Sequence, residues 1–121
     1  MGDDILNELV STLKGELGAG YSAISGIIEN QGKLLAKQAA HIARSRAGGS
    51  LKDDDDLYHF YLASLQDNTL ATAKAVVMLS ALTIEKAWNA IAGVLWGGIR
   101  TILSGAGVPG NLLPETPPIS L

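Results

Sequence analysis

Prolines are confined to the last 13 residues of this 121-residue chain, at Pro109, Pro114, Pro117 and Pro118. Because proline disrupts the interior of a helix, the long stretch that precedes them is free to be helical throughout. That stretch contains two apolar stripes separated by one polar segment at residues 46–56. The sequence therefore predicts an all-α fold: a long antiparallel helical hairpin with an extended, proline-rich C-terminal arm, packing into a helical oligomer.

The first stripe predicts a helix over about residues 3–46. Its apolar residues recur at heptad spacing, the pattern of a coiled-coil seam. The series that repeats every seven residues consists of Leu6, Leu13, Gly20, Ile27, Leu34 and His41. Glycines weaken the middle of this helix by about 1 kcal/mol each, so a kink at Gly18–Gly20 is one alternative. We favour a continuous helix in which Gly18, Ser22 and Gly26 form a smooth strip for close helix contact.

The second stripe predicts a helix over about residues 54–104, after a hinge at residues 47–53. Aspartates at its start favour the positive end of the helix dipole. Its heptad positions are Leu70, Val77, Ile84 and Ile91, with Trp88, Leu95 and Ile102 in register. A kink at Asp67–Thr69 is an alternative, because these residue types prefer caps and turns to helix interiors. Residues 1–104 are thus predicted to form one helical hairpin.

Residues 105–121 are predicted to form the arm, because their glycines and prolines cannot continue a helix. The arm carries more apolar side chains than a simple spacer needs: Val108, Leu112, Leu113, Ile119 and Leu121. We therefore expect it to dock on a neighbouring subunit or on a partner.

Composition limits the classes of function. Hydrophobic residues make up 47% of the chain and charged residues 17%, so two helices leave apolar surface that a second copy, a partner or lipid must cover. The net charge of −3 disfavours nucleic acid, which requires a clustered basic surface. The absence of cysteine excludes thiol chemistry and leaves the redox compartment open. The first residues do not resemble a signal peptide, so we expect a cytoplasmic protein or one within an assembled particle.

Few residues point to chemistry. His41, Asp56 and His59 flank the hinge, and an acid and an imidazole three residues apart resemble the ligand pairs of ferritin-like bundles. The several inward-facing glutamates of such a site are missing, so we expect neither a metal nor a cofactor. The chain has no phosphate-binding loop and no nucleophile elbow. We expect that it is not an enzyme.

A membrane is a second candidate partner. Gly93 and Gly97 are spaced by four residues, which permits close approach of helices. The apolar stretch around them is too short to span a bilayer. In this alternative, residues 70–104 insert as an amphipathic segment, with Trp88 and Trp96 as interfacial anchors.

The favoured function is a non-catalytic helical structural protein that self-associates or docks on a larger complex. Small, cysteine-free helical chains with docking tails suit virus and phage particles, so a virion component is the concrete form of this hypothesis. The alternatives are a membrane-active helical protein and a ferritin-like metal-binding bundle. The predicted interface residues are Leu70, Val77, Ile84, Trp88, Ile91, Leu95, Ile102, Gly93, Gly97, Leu112 and Leu113. The subunit number, the partner and the biological process stay open.

Overall fold

The computed structural model describes residues 2–119 and is helical without strands over that range, which confirms the all-α prediction. The long helices are α1 (Gly2–Leu17), α3 (Lys33–Gly48), α4 (Asp55–Met78) and α5 (Ile84–Gly105). Helix α5 lies at the centre and packs against the other three, while α3 also contacts α1 and α4. The chain therefore forms a bundle of four long helices rather than a two-helix hairpin.

The first predicted helix is interrupted where its glycines cluster. A 3-10 segment at Gly18–Ala23, the single turn α2 (Ser25–Ile27) and a π-helical turn at Ile28–Gly32 separate α1 from α3. Gly18 has a φ of +55°, which is inexpensive only for glycine. The predicted kink is confirmed, and the preferred continuous helix is wrong. This interruption allows α1 to pack against both α3 and α5.

The hinge between α3 and α4 is stabilised by contacts of the Arg46 side chain. Its Nη1 donates to the carbonyl oxygen of Leu51 at 2.9 Å, and its Nη2 lies 2.7 Å from Asp55 Oδ1. The guanidinium carbon also lies 4.4 Å from the centre of the Tyr58 ring. Asp54 Oδ1 accepts a hydrogen bond from the Leu57 N–H and so caps α4. These contacts join the end of α3 to the start of α4 across the segment between Gly48 and Asp55.

The second predicted helix is divided, although not at Asp67–Thr69. Helix α4 runs through that segment. Thr69 Oγ1 donates to the Leu65 carbonyl at 2.7 Å and Asn68 Nδ2 donates to Gln38 Oε1 at 3.2 Å, so both polar side chains have partners without a break in the helix. The chain breaks instead between Met78 and Ile84, where Thr83 Oγ1 caps α5 by accepting the Lys86 N–H. This break turns the predicted long helix into the antiparallel pair α4 and α5.

The hydrophobic core is built around α5, which is apolar on most of its circumference. Its fully buried large side chains are Trp88, Ile91, Leu95, Ile99 and Leu103. Helix α1 approaches α5 closely at Gly98, where an added Cβ would lie 2.8 Å from Ile5 Cδ1. The composition implied that a large apolar surface must be covered. The burial of most of α5 inside its own chain covers much of that surface.

Candidate interaction surfaces

The direction of the C-terminal arm is set at the end of α5. The Val108 N–H donates to the Leu103 carbonyl at 3.0 Å, and the Gly107 N–H donates to the Ser104 carbonyl at 3.1 Å. Gly107 has a φ of +90°. These two bonds and the left-handed residue form a Schellman motif, in which the chain reverses at a helix end. The arm that follows Gly105 is thereby directed back along α5.

Two side chains of α5 hold the arm by its backbone. Arg100 Nη1 donates to the Pro114 carbonyl oxygen at 3.0 Å and lies 3.0 Å from Thr116 Oγ1. Trp88 Nε1 donates to the Pro117 carbonyl oxygen at 2.9 Å. Hydrogen bonds from a charged donor, such as the Arg100 guanidinium, or from a buried donor, such as the Trp88 indole, are stronger than hydrogen bonds at an open surface. The arm is therefore seated at defined positions rather than loosely packed.

The arm groove is the cleft between α4 and α5 on which this segment lies. Its walls include the two donors Trp88 and Arg100. The residues of α4 and α5 that line the open cleft beside the arm are His59, Leu62, Ala63, Gln66 and Trp96. From the arm, Pro114, Glu115 and Pro117 contribute to the same cleft. The predicted arm thus packs on helices of its own chain, and docking on a neighbouring subunit stays a prediction.

A second surface is the outer face of α4. Phe60, Ala71 and Met78 are spaced by 11 and 7 residues, which places them on one side of the helix. Phe60 is 64% exposed and Met78 is 84% exposed. Leu34 of α3, 67% exposed, lines a shallow groove beside Ala71. We call these four residues the outer apolar face.

The groove beside Leu34 has a polar rim built from both helices. Asn68 Nδ2 donates to Gln38 Oε1, and Thr72 Oγ1 lies 3.2 Å from Gln31 Oε1. These contacts join α4 to α3 and to the π-helical turn before it, next to the place where Leu34 is exposed. The exposed leucine therefore belongs to a helix that is paired with α4 rather than to a loop.

The structure divides the predicted interface residues between the core and the surface. Those buried inside this chain are Trp88, Ile91 and Leu95. Those half-buried against the core are Leu70, Val77, Ile84, Ile102 and Leu113. Leu112 is exposed, and Gly93 and Gly97 are half-buried with no other helix against them in the described structure. The heptad pattern thus marks intrachain packing for the most part.

The proposed ligand residues do not converge. His41, Asp56 and His59 are each exposed, and no three histidines or acids within residues 2–119 form a group that could hold a metal ion. Trp88 and Trp96, the anchors of the membrane alternative, are buried and would have to leave the core before they could contact lipid. None of the helices described has the combined length and apolar character of a membrane span.

One buried polar group stands apart. The Tyr58 hydroxyl is buried and, among the described residues, has no hydrogen-bond partner. Burial raises the pKa of Tyr58, while the nearby Arg46 acts in the opposite direction. Its environment favours the neutral phenol, and its ring serves mainly as the surface on which the Arg46 guanidinium stacks.

No protein-family model matches the sequence, and no curated protein or solved structure is significantly similar to it. The two surfaces are therefore interpreted from their own chemistry. The heptad pattern did not identify Arg100 as a residue that holds the arm. The available signal was its position, because Arg100 is the one charged residue between Lys86 and Glu115.

Proposed function

We propose that this chain is a non-catalytic helical structural protein that self-associates or docks on a larger assembly, such as a virion or phage particle, in the cytoplasm or within that particle. The observation that carries the proposal is the outer apolar face. Its three large side chains, Leu34, Phe60 and Met78, are each more than three-fifths exposed. Large apolar side chains grouped on one rigid surface are typical of protein–protein contact sites.

The shape of this face favours a helical partner. Side chains that recur on one side of a helix pack into the groove of a facing helix. The groove between α3 and α4 offers Leu34 and the small residue Ala71 at such a position. A second bundle of the same kind presents a matching helix, so association of copies side by side covers the exposed leucine and phenylalanine.

The histidines support the non-catalytic part of the proposal. His41 and His59 are the only imidazoles of the chain, and they lie exposed on different helices. Within the described structure, neither is hydrogen-bonded to a carboxylate or to a nucleophilic side chain. An acid–base pair in a cleft would require such an arrangement.

The experiment is light scattering coupled to size-exclusion chromatography, on the detergent-free full chain at several concentrations. The test variant is Phe60→Gln/Met78→Gln, which makes the outer apolar face polar without changing the core. The control is Ala23→Gln, since Ala23 is exposed and lies in the 3-10 segment between α1 and α3, outside that face and outside the arm. We expect a discrete multimer for the natural chain and the control, and a smaller species for the test variant.

Two outcomes would contradict this expectation. A monomer of the natural chain at every concentration would show that self-association is wrong. Equal effects of the control and the test variant would show that the outer apolar face is not the contact. Binding to liposomes, accompanied by exposure of the tryptophans, would support instead the membrane alternative built on residues 70–104.

A further inference from the structure

We infer that the arm groove is a receptor for the proline-containing segment at residues 113–118, and that in the assembled state a neighbouring copy supplies this segment. The inference rests on the proposed self-association and names a second contact for it. Its occupant is the arm of another copy of this chain. In the structure described here, the same groove holds the arm of its own chain.

The groove recognises the arm as polyproline receptors recognise their ligands. Leu113 has φ −78° and ψ 141°, which are polyproline II values. Pro114 and Pro117 are separated by two residues, the spacing of a Pro-x-x-Pro segment. Receptors for such segments use aromatic grooves whose polar side chains donate to ligand carbonyls. Here Trp88 and Arg100 act as those donors.

These contacts do not depend on chain connectivity. The donors bind backbone carbonyl oxygens of the arm, and an arm from a second copy presents the same atoms in the same order. Exchange of identical segments between copies keeps every contact in the groove and changes only the connecting turn. The free-energy difference between the two arrangements is therefore set mainly by that turn and by the protein concentration.

The connecting turn is suited to opening. It consists of Ala106 and Gly107, directly after Gly105, the last residue of α5, and Gly107 has no side chain that restricts the backbone. Opening it removes the two hydrogen bonds of the Schellman motif and leaves α5 intact. The six residues from Val108 to Leu113 connect the turn to Pro114, and in a polyproline conformation they extend to about 19 Å at about 3.1 Å per residue. That is roughly twice the distance of about 8–10 Å between the axes of packed helices, so the segment is long enough to cross to a bundle packed beside its own.

The arm is only partly covered by the helices of its own chain. Its apolar residues Leu113, Pro114, Pro117 and Ile119 are only half-buried. Their outward sides stay available for a second bundle when the arm bridges two copies. A second copy is favoured over a foreign peptide because the receptor and its ligand segment are both encoded in this chain.

The test is cross-linking between copies of the full chain, which has no natural cysteine. Ala63 on α4 and Glu115 on the arm are both exposed and line the same cleft. Two single variants, Ala63→Cys and Glu115→Cys, are mixed, equilibrated at high concentration and treated with a short bismaleimide. The double variant at high dilution shows that the two positions are within reach inside one chain. The control mixture pairs Glu115→Cys with Asn7→Cys, a variant at an exposed position on α1.

We expect covalent dimers of the first mixture at several times the yield of the control mixture. If light scattering shows a multimer but dimers do not exceed the control, the arm stays within its own chain and the inference is overturned, whereas self-association stands. If the chain is monomeric and no dimers are captured, both arm exchange and self-association are wrong.

Discussion

Trp88 donates its indole N–H to the carbonyl oxygen of Pro117 over 2.9 Å, although 29 residues separate the two along the chain. Trp88 is 1% exposed and belongs to the core, whereas Pro117 belongs to the arm. One side chain therefore contributes both to the packing of α5 and to the position of the arm. A change at this residue should affect both properties.

Trp88→Phe is predicted to destabilise the fold and to release the end of the arm. The substitution removes the hydrogen bond to Pro117 and part of a buried ring, for an expected loss of about 2–4 kcal/mol in the free energy of unfolding. Urea denaturation measures this loss, and limited proteolysis with mass spectrometry measures cleavage within residues 106–119. We expect arm cleavage to accelerate several-fold.

The matched control for this prediction is Ile91→Val, which shortens another fully buried side chain of α5. This variant is expected to lose about 1 kcal/mol without faster cleavage of the arm. If both variants release the arm in proportion to their loss of stability, the bond between Trp88 and Pro117 has no special role in holding it.

Arg100→Met is predicted to loosen the middle of the arm. Methionine retains much of the aliphatic length of arginine but loses the donors to the Pro114 carbonyl and to Thr116. A hydrogen bond from a charged donor contributes about 1–3 kcal/mol to the free energy of unfolding. Because Arg100 is only half-buried, we expect the lower figure for each bond. Hydrogen exchange or proteolysis of residues 110–119 is the measurement.

Arg100→Lys separates charge from geometry. Lysine keeps the positive charge but has no planar guanidinium group with several fixed donors. We expect intermediate protection of the arm. Protection equal to that of Arg100→Met would show that geometry decides the contact, and protection equal to the natural chain would show that charge alone is sufficient.

The helical character of the chain was predictable, but its division into four long helices was only partly so. The glycines near Gly18 indicated a kink as an alternative because they weaken a helix interior, and the kink is present although we favoured a continuous helix. The break after Met78 had no comparable signal, because the heptad series passes from Val77 to Ile84 without a glycine or proline. A heptad repeat shows which residues pack, and it does not show whether they pack within one chain or between copies.

The surfaces were harder to predict than the helices. Phe60 and Met78 are apolar, and nothing local distinguishes an exposed apolar residue from one in the core. The arm groove depends on residues of α4, α5 and the arm that are up to 58 positions apart, such as His59 and Pro117. Their convergence follows from the turn between α4 and α5 and from the Schellman motif at Gly107, and neither position was identified from the pattern.

Gly98→Ala is predicted to destabilise the contact between α1 and α5. An added methyl group would lie 2.8 Å from Ile5 Cδ1 and Cγ1, so the two helices must separate or Ile5 must change rotamer. Such overpacking costs about 1–3 kcal/mol and outweighs a gain in helix propensity of about 1 kcal/mol. Thermal or urea unfolding is the measurement.

Gly93→Ala is the control, because nothing lies within 4 Å of the added Cβ at that position in the described structure. Its expected effect on the monomer is a stabilisation of about 1 kcal/mol from helix propensity alone. If the chain forms the proposed multimer and Gly93→Ala destabilises it, another copy packs closely on this side of α5.

Tyr58→Phe is predicted to maintain or increase stability at neutral pH. The substitution removes a buried hydroxyl that has no partner in the described structure and keeps the ring over which the Arg46 guanidinium lies. Removing an unsatisfied buried polar group is expected to contribute about 1 kcal/mol in favour of the folded state. Urea denaturation at pH 7 is the measurement, and a loss of more than about 1 kcal/mol would show that the hydroxyl has a partner.

The same variant is predicted to be less sensitive to alkaline pH. Burial raises the pKa of Tyr58 above its usual 10.0 in the folded state, with Arg46 acting in the opposite direction. Above pH 10 the unfolded chain therefore loses this proton before the folded one does, and unfolding becomes more favourable. The stability that Tyr58 contributes through its raised pKa is fully present below pH 10, and it is lost as the pH rises through the pKa of the folded state. Tyr21 and the lysines are common to both proteins, so the natural chain should lose more stability than Tyr58→Phe between pH 9 and pH 11. Parallel curves of unfolding free energy against pH would show that the Tyr58 phenol ionises equally well in the folded and unfolded chain.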